Sequence, residues 1–349
     1  MCSLASSHRQ PTKGNRMLNW CTYSDQKTVD FRTLLAPLEA ASAAEVAERI
    51  PTLEAQASAF EDHHRVAGLG WIKRYKKVDP RLSLVRNLIV DDVSIAPFRK
   101  LMSDANIAGV TGLTVKASLG EKGVDAILAS PIQSLRFLKL QMGSGFKAAS
   151  IEKLRTWPAL KELRHLDLSF NEKVGSKGIA ALAEAPFLPG LEALELLGCA
   201  DKAAKKPLQA LASVPFERLE LFSLSGASYT IAEGRGRPFL TAPGMQKLAS
   251  LSLYMGLRDE DLATLGKEAV GHSLRTLNVG GEFSSGAVAA FFATPHLQLE
   301  ELHVRGIQGD LDEGLERAIN ASSFRPKLQR MTLNAYRWNQ AKGDISFQK

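Results

Sequence analysis

The sequence predicts an α/β solenoid: parallel strands stacked on a concave face, short helices on the convex face, and a helical segment capping the N-terminal end. Three observations predict it. A pattern apolar-x-x-apolar-x-apolar recurs about ten times at intervals of roughly 25–29 residues. Between successive patterns lie short Ala- and Leu-rich runs at helical spacing, several of them closed by proline. Before the first pattern, apolar residues fall at helical rather than strand spacing.

The unit is clearest in LRHLDLSFNEKVGSKGIAALAEAPFL, Leu163 to Leu188. Leu166 and Leu168 alternate with polar neighbours, as a strand with one buried face requires; from Gly178 onward Ile179, Leu182 and Ala183 follow helical spacing. The pattern recurs at Val85/Leu88/Val90, Val110/Leu113/Val115, Leu135/Leu138/Leu140 and Leu191/Leu194/Leu196. It continues at Phe216/Leu219/Leu221, Leu248/Leu251/Leu253, Leu274/Leu277/Val279, Leu299/Leu302/Val304 and Leu328/Met331/Leu333. GVDAILASP, GIAALAEAP, LQALASVP and AVAAFFATP are the helical halves, stopped at Pro131, Pro186, Pro215 and Pro295. Proline cannot continue a helix and pushes its predecessor to an extended backbone, which returns the chain to the next strand. No single unit can bury its apolar face, so the units must stack. Helices are wider than the strand spacing of about 4.8 Å, so such a stack is expected to curve with its strands inside.

From about Val85 to Leu333 the chain resembles a leucine-rich repeat protein, and its strand-plus-helix units are similar to the ribonuclease-inhibitor-like subclass and to Ala-rich bacterial members. The resemblance implies that Asn171 and Cys199 are the residues whose side chains satisfy backbone groups where the strand turns. Elsewhere that position holds Val93, Ser118, Gly143, Leu224, Gly256, Glu282, Ile307 and Tyr336. It also implies a non-catalytic scaffold that binds a protein partner on its concave face, with no cofactor. The alternative it implies is a regulator or effector acting on an enzyme such as a GTPase or a nuclease.

Outside the array, residues 1–27 are polar and mixed and read as a disordered tail, and residues 28–80 as a helical N-terminal cap. SAAE at Ser42–Glu45 reads as a capping box. The array spans 81–335, with ASYTIAEGRGRPFLTAPG at 227–244 read as an inserted loop that delays the seventh unit, and 336–349 as a C-terminal tail whose Tyr336 and Trp338 cover the final strand. The chain is 45% hydrophobic and 23% charged, ordinary for a globular protein, and no apolar run reaches the roughly 20 residues of a membrane span. Cys2, Cys21 and Cys199 are far apart with no CxxC pair, which argues against a disulfide framework or zinc site. With no apolar leader at the N-terminus, these features lead to an expected cytoplasmic location. The net charge of +7 permits acidic partners, but Lys and Arg are interleaved with Asp and Glu as on any solvated surface.

Candidate chemistry is weak. His165, Asp167 and Ser169 alternate along one strand, but residues two apart stand about 6.5–7 Å from each other, too far for a proton relay. EDHH at Glu61–His64 sets ligand types side by side, where successive helical residues point in different directions. GSGFK at Gly143–Lys147 is too short for a phosphate loop, and KRYKK at Lys73–Lys77 is one basic cluster, which does not favour nucleic-acid binding. An enzyme is therefore not expected.

The partner surface is read from the side chains between and beside the buried leucines. One row reads Asp167, Glu195, Glu220, an acidic track; beside it Phe170, Leu197, Phe222, Tyr254 and Met255 are expected exposed. Lys116 and Lys139 before, and His303, Arg305 and Arg330 after, make the flanks basic or polar. The expected partner segment carries Lys or Arg beside an apolar residue and lies across units four to seven, unless the 227–244 loop folds over Phe222 and Tyr254.

Overall fold

The computed structural model describes residues 26–38, 41–66, 79–200, 203–226 and 234–347. Each hydrophobic pattern forms one strand: β1 (Asn87–Asp91), β2 (Gly112–Lys116), β3 (Phe137–Gln141), β4 (His165–Asp167), β5 (Ala193–Leu196), β6 (Leu221–Ser225), β7 (Ser250–Arg258), β8 (Thr276–Ser284), β9 (Glu301–Gln308) and β10 (Arg330–Leu333). They pair in parallel in chain order, and β11 (Tyr336–Asn339) folds back antiparallel on β10, so one sheet runs through the described array.

Register follows the apolar residues. Leu88, Leu113, Leu138, Leu166, Leu194, Phe222, Leu251, Leu277, Leu302 and Met331 lie side by side in one unbroken row. Every member is essentially out of contact with solvent. Between strands run α3 (Ile95–Met102), α4 (Gly120–Leu128), α5 (Ala148–Leu154), α6 (Gly175–Ala183), α7 (Lys205–Ala212), the short α8 (Pro238–Thr241), α9 (Asp259–Lys267), α10 (Ala269–Ser273), α11 (Ser285–Phe292) and α12 (Glu313–Asn320). One continuous apolar core takes side chains from the strands and these helices, so the other face of the sheet is left for residues that alternate with the leucines. At the N-terminal side, α1 (Gln26–Leu35) and α2 (Ala43–Ala57) bury Phe31, Leu35, Leu38, Val46 and Ala57 against Leu84. The Ser42–Glu45 capping box is formed at the start of α2, and Val66 bridges in parallel to Asn87 on β1.

Two sequence expectations are corrected in unit six. FERLELFSLS fits the pattern twice, three residues apart, and the register selects Leu219/Phe222/Leu224 rather than Phe216/Leu219/Leu221. Phe222 then fills the leucine row and stacks on Phe239, ring centroids 5.0 Å apart. From Leu191 to Leu219 is 28 residues and from Leu219 to Leu248 is 29, the ordinary interval. The seventh unit is therefore not late. The described part of the 227–244 stretch, carrying α8, occupies the place of this unit's helical half.

Side chains tie units together where the strands turn. Asn171 Nδ2 donates to the carbonyls of Leu140 and Leu168 at 2.6 Å each, and its Oδ1 accepts from the Met142 N–H at 3.1 Å. The Cys199 thiol donates to the Leu168 carbonyl at 2.9 Å. Asn334 does similar work from two positions nearer its strand, accepting from the N–H groups of Gly306 and Ile307 and donating to the Ile307 carbonyl. No described helix is long and apolar enough to cross a membrane.

The register makes a stability prediction. Phe222→Ala empties a fully buried aromatic site and is expected to cost about 3–5 kcal/mol of unfolding free energy, measured by urea titration with circular dichroism. A loss under about 1 kcal/mol would put the ring outside the core and restore the Leu219/Leu221 register.

Candidate functional site on the open face of the sheet

The middle row of the open face runs through Lys139, Asp167, Glu195, Ser223, Ser252, Asn278 and His303. Glu220 is not in it. It precedes β6, its N–H donates to the Glu192 carbonyl, and Ser223 stands beside Glu195 instead. Partial desolvation and the neighbouring Glu192 carboxylate raise the Glu220 pKa above the usual carboxylate range.

The acidic track is also not a free charge. Asp167 is buried; one carboxylate oxygen accepts from the Ser169 N–H at 2.9 Å and the other binds the Lys139 ammonium. Glu195 lies 2.8 Å from His165 Nε2. A carboxylate only accepts, so that nitrogen carries the proton. The imidazole is buried edge-on against Phe137, centroids 4.7 Å apart, and its Nδ1 meets no hydrogen-bond partner. Burying a carboxylate without a counter-charge is costly; Lys139 supplies that charge to Asp167, and Glu195 gains a hydrogen bond from His165 within the sheet itself.

The same contacts dispose of a hydrolytic reading. His165 is bound to Glu195, while the Ser169 hydroxyl accepts from the Leu197 N–H, so serine, histidine and aspartate form no relay. The Glu61–His64 cluster is committed elsewhere: Asp62 accepts from the Thr111 hydroxyl, and the His63 and His64 rings lie 3.8 Å apart. Among the described residues no group of three or more His, Cys, Asp or Glu is placed to hold a metal ion. The Lys73–Lys77 cluster lies outside the described residues.

Of the apolar candidates, two are corrected. Phe222 belongs to the core row, and Met255 is buried: its carbonyl accepts from the Gly236 N–H, and Gly236 packs closely on Leu253, Met255 and Leu257. Leu197 and Tyr254 are half-buried on the face. Phe170 is 55% exposed. Its backbone sits at φ +66°, in the left-handed region. The slot recurs two residues past the third apolar position of a unit, where Asp92, Gly198 and Gly306 also have positive φ. Glycine enters it freely and aspartate tolerably; a large side chain costs about 1–2 kcal/mol. Phe170 is anchored there by its N–H donating to the Leu197 carbonyl at 2.6 Å.

Three further residues escaped the sequence reading as a group. Tyr254, Gly280 and Arg305 are register neighbours on β7, β8 and β9. The Arg305 guanidinium carbon lies 5.8 Å from the centroid of the Tyr254 ring. A glycine inside a strand beside an aromatic is the available signal, since it marks a place where something lies close on the backbone.

The stacked parallel strands, in-register leucine row and intervening helices fit a leucine-rich repeat solenoid. No family profile matches the chain. Among solved structures, it is similar to one described as the complex of Rad7 and Elc1 in yeast, at 14% identity over 88% of this chain and 75% of that one, with a TM-score of 0.49. A likeness of that degree gives no residue a role.

Cys199 provides a chemical check on the turn. Burial pushes its thiol up to about 12, against the smaller opposing effect of the backbone hydrogen bond at Asn171. At pH 8 about one thiol in ten thousand would then be ionised, and the thiolate is the reactive form. Iodoacetamide is expected to leave Cys199 unmodified in the native protein and to alkylate it after denaturation, as read by peptide mass spectrometry. Rapid native alkylation would contradict a buried turn thiol.

Proposed function

We propose that the chain is a non-catalytic protein-binding scaffold. In this reading it is a curved leucine-rich repeat horseshoe of the ribonuclease-inhibitor-like or Ala-rich kind, with α1 and α2 capping its first unit and a partner docked on the concave strand face. The observation that carries it is Phe170. An aromatic side chain that is more than half exposed gains little from burial, and its backbone occupies a left-handed slot that the three other units sharing that conformation give to glycine or aspartate. Folding alone disfavours that choice twice. A binding contact offsets both costs, and exposed aromatics are frequent interface anchors. Leu197 beside it extends the apolar surface, while Asp167 paired with Lys139 and Glu195 hydrogen-bonded to His165 give the central units a polar floor whose groups are tied to one another.

The reading yields an opposed pair of effects. Phe170→Gly relieves the left-handed strain but adds backbone entropy, for a net stabilisation of about 0.5 kcal/mol. The same change is expected to weaken the partner recovered with the wild-type bait by about 2 kcal/mol, roughly thirtyfold. Denaturant melts and binding titrations of the two proteins measure both. Unchanged affinity, or a fold that loses stability, would overturn the assignment of Phe170 as an anchor.

A further inference from the structure

We infer that Tyr254, Gly280 and Arg305 form a subsite for a side-chain carboxylate, so that the protein segment docking on this face is acidic. The inference rests on the protein-binding reading and gives the partner a chemistry. On a flat sheet a tyrosine stands away from the backbone. Here its ring reclines over β8, because Gly280 has no side chain: a Cβ at that position would lie 2.5 Å from the Tyr254 Cδ1 and 3.3 Å from Cε1. The ring thus spans the glycine and meets the Arg305 guanidinium on the next strand.

Arg305 is exposed and forms no ion pair within the described structure. Its surroundings contrast with it. Glu301 on the same strand is held by Arg330, Glu300 lies 3.9 Å from Arg275, and Asp167 and Glu195 are held by Lys139 and His165. The carboxylates named here are matched within the fold, while this guanidinium keeps its forked donors for something outside. An aromatic backing holds the planar group in place without consuming its N–H donors, and that fork fits a carboxylate. The chain's +7 net charge likewise favours approach by an acidic partner. The expectation of a Lys- or Arg-bearing partner is thereby reversed, since the acidic track that motivated it loses Glu220, has Asp167 paired with Lys139 and has Glu195 bonded to His165. A nucleic acid is the less favoured polyanion: its evenly spaced phosphates would run on from Arg305 over Glu195 and Asp167, whereas one Asp or Glu side chain need not. Phe170 and Arg305 lie five strands apart, about 24 Å at the usual spacing, within reach of a short extended segment.

The test selects a random-peptide phage library on the wild-type chain and measures synthetic versions of the recovered peptides by fluorescence anisotropy. The expected result is enrichment of Asp and Glu, at least about tenfold weaker binding to Arg305→Glu, and recovery of that loss when the peptide's acidic residue is changed to Lys. Gly280→Ala, whose backbone needs no positive φ, is expected to melt like wild type yet to share the loss by tilting the tyrosine off its place. Peptides without acidic enrichment, or binding Arg305→Glu as tightly as wild type, overturn the subsite. If those peptides still weaken with Phe170→Gly, the protein-binding face survives without it; if they respond to neither variant, both readings fall, as they do if no peptide is recovered. A single-stranded oligonucleotide that binds more tightly than the peptides and loses affinity in Arg305→Glu would overturn the acidic-peptide assignment in favour of nucleic acid.

Discussion

The constraint on which the rest depends is that no unit of this chain can bury its own apolar face. A strand of three to nine residues and a helix of one to two and a half turns leave their leucines wet until the next unit covers them. Stacking satisfies every unit in the same way only if the central apolar residue of each strand lies beside that of its neighbours, and the row from Leu88 to Met331 is the result. The backbone ladder follows from it, because side chains aligned at a fixed register place donors and acceptors opposite one another. What faces outward is then not chosen freely. Once the leucines are in their row, the intervening residues are committed to the open face, and its chemistry is a by-product of register.

That dependence explains which parts were legible in the sequence. The strand positions could be read directly because Leu and Val at fixed intervals have one way of being buried together. Asn171 and Cys199 were legible through the resemblance to leucine-rich repeats, which implies a residue of that kind where the strand turns. Unit six was not, because Leu219, Leu221, Phe222 and Leu224 offer two registers and only packing against Phe239 separates them. One ambiguous strand displaced two candidate residues and one segment: Glu220 left the acidic row, Phe222 left the surface, and the neighbouring stretch lost its status as an insertion.

Charge was less legible than hydrophobicity. Asp167 and Glu195 do face the open side of the sheet, but a linear pattern cannot show that Lys139 and His165, one strand earlier in each case, would reach across and pair with them. Cross-strand neighbours are separated by a whole unit in the chain, so the pairing appears only after the register is known. Tyr254 and Gly280 illustrate the converse. A tyrosine's posture depends on an absent side chain in another unit, and no periodicity records an absence.

The turn after β4 has a consequence beyond holding two units together. Asn171 binds three backbone groups, Cys199 shares one of them, the Leu168 carbonyl, and the Phe170 N–H is itself bonded to Leu197, so the loop that carries the aromatic ring is fixed from the neighbouring strands on both sides. A flexible loop would surrender its backbone freedom at the moment of encounter and subtract that entropy from affinity. Here the surrender took place during folding, and the left-handed backbone of Phe170 was fixed then too. Whatever reaches Phe170 finds a rigid contact whose ordering is already complete, with only the ring's own rotation left to lose.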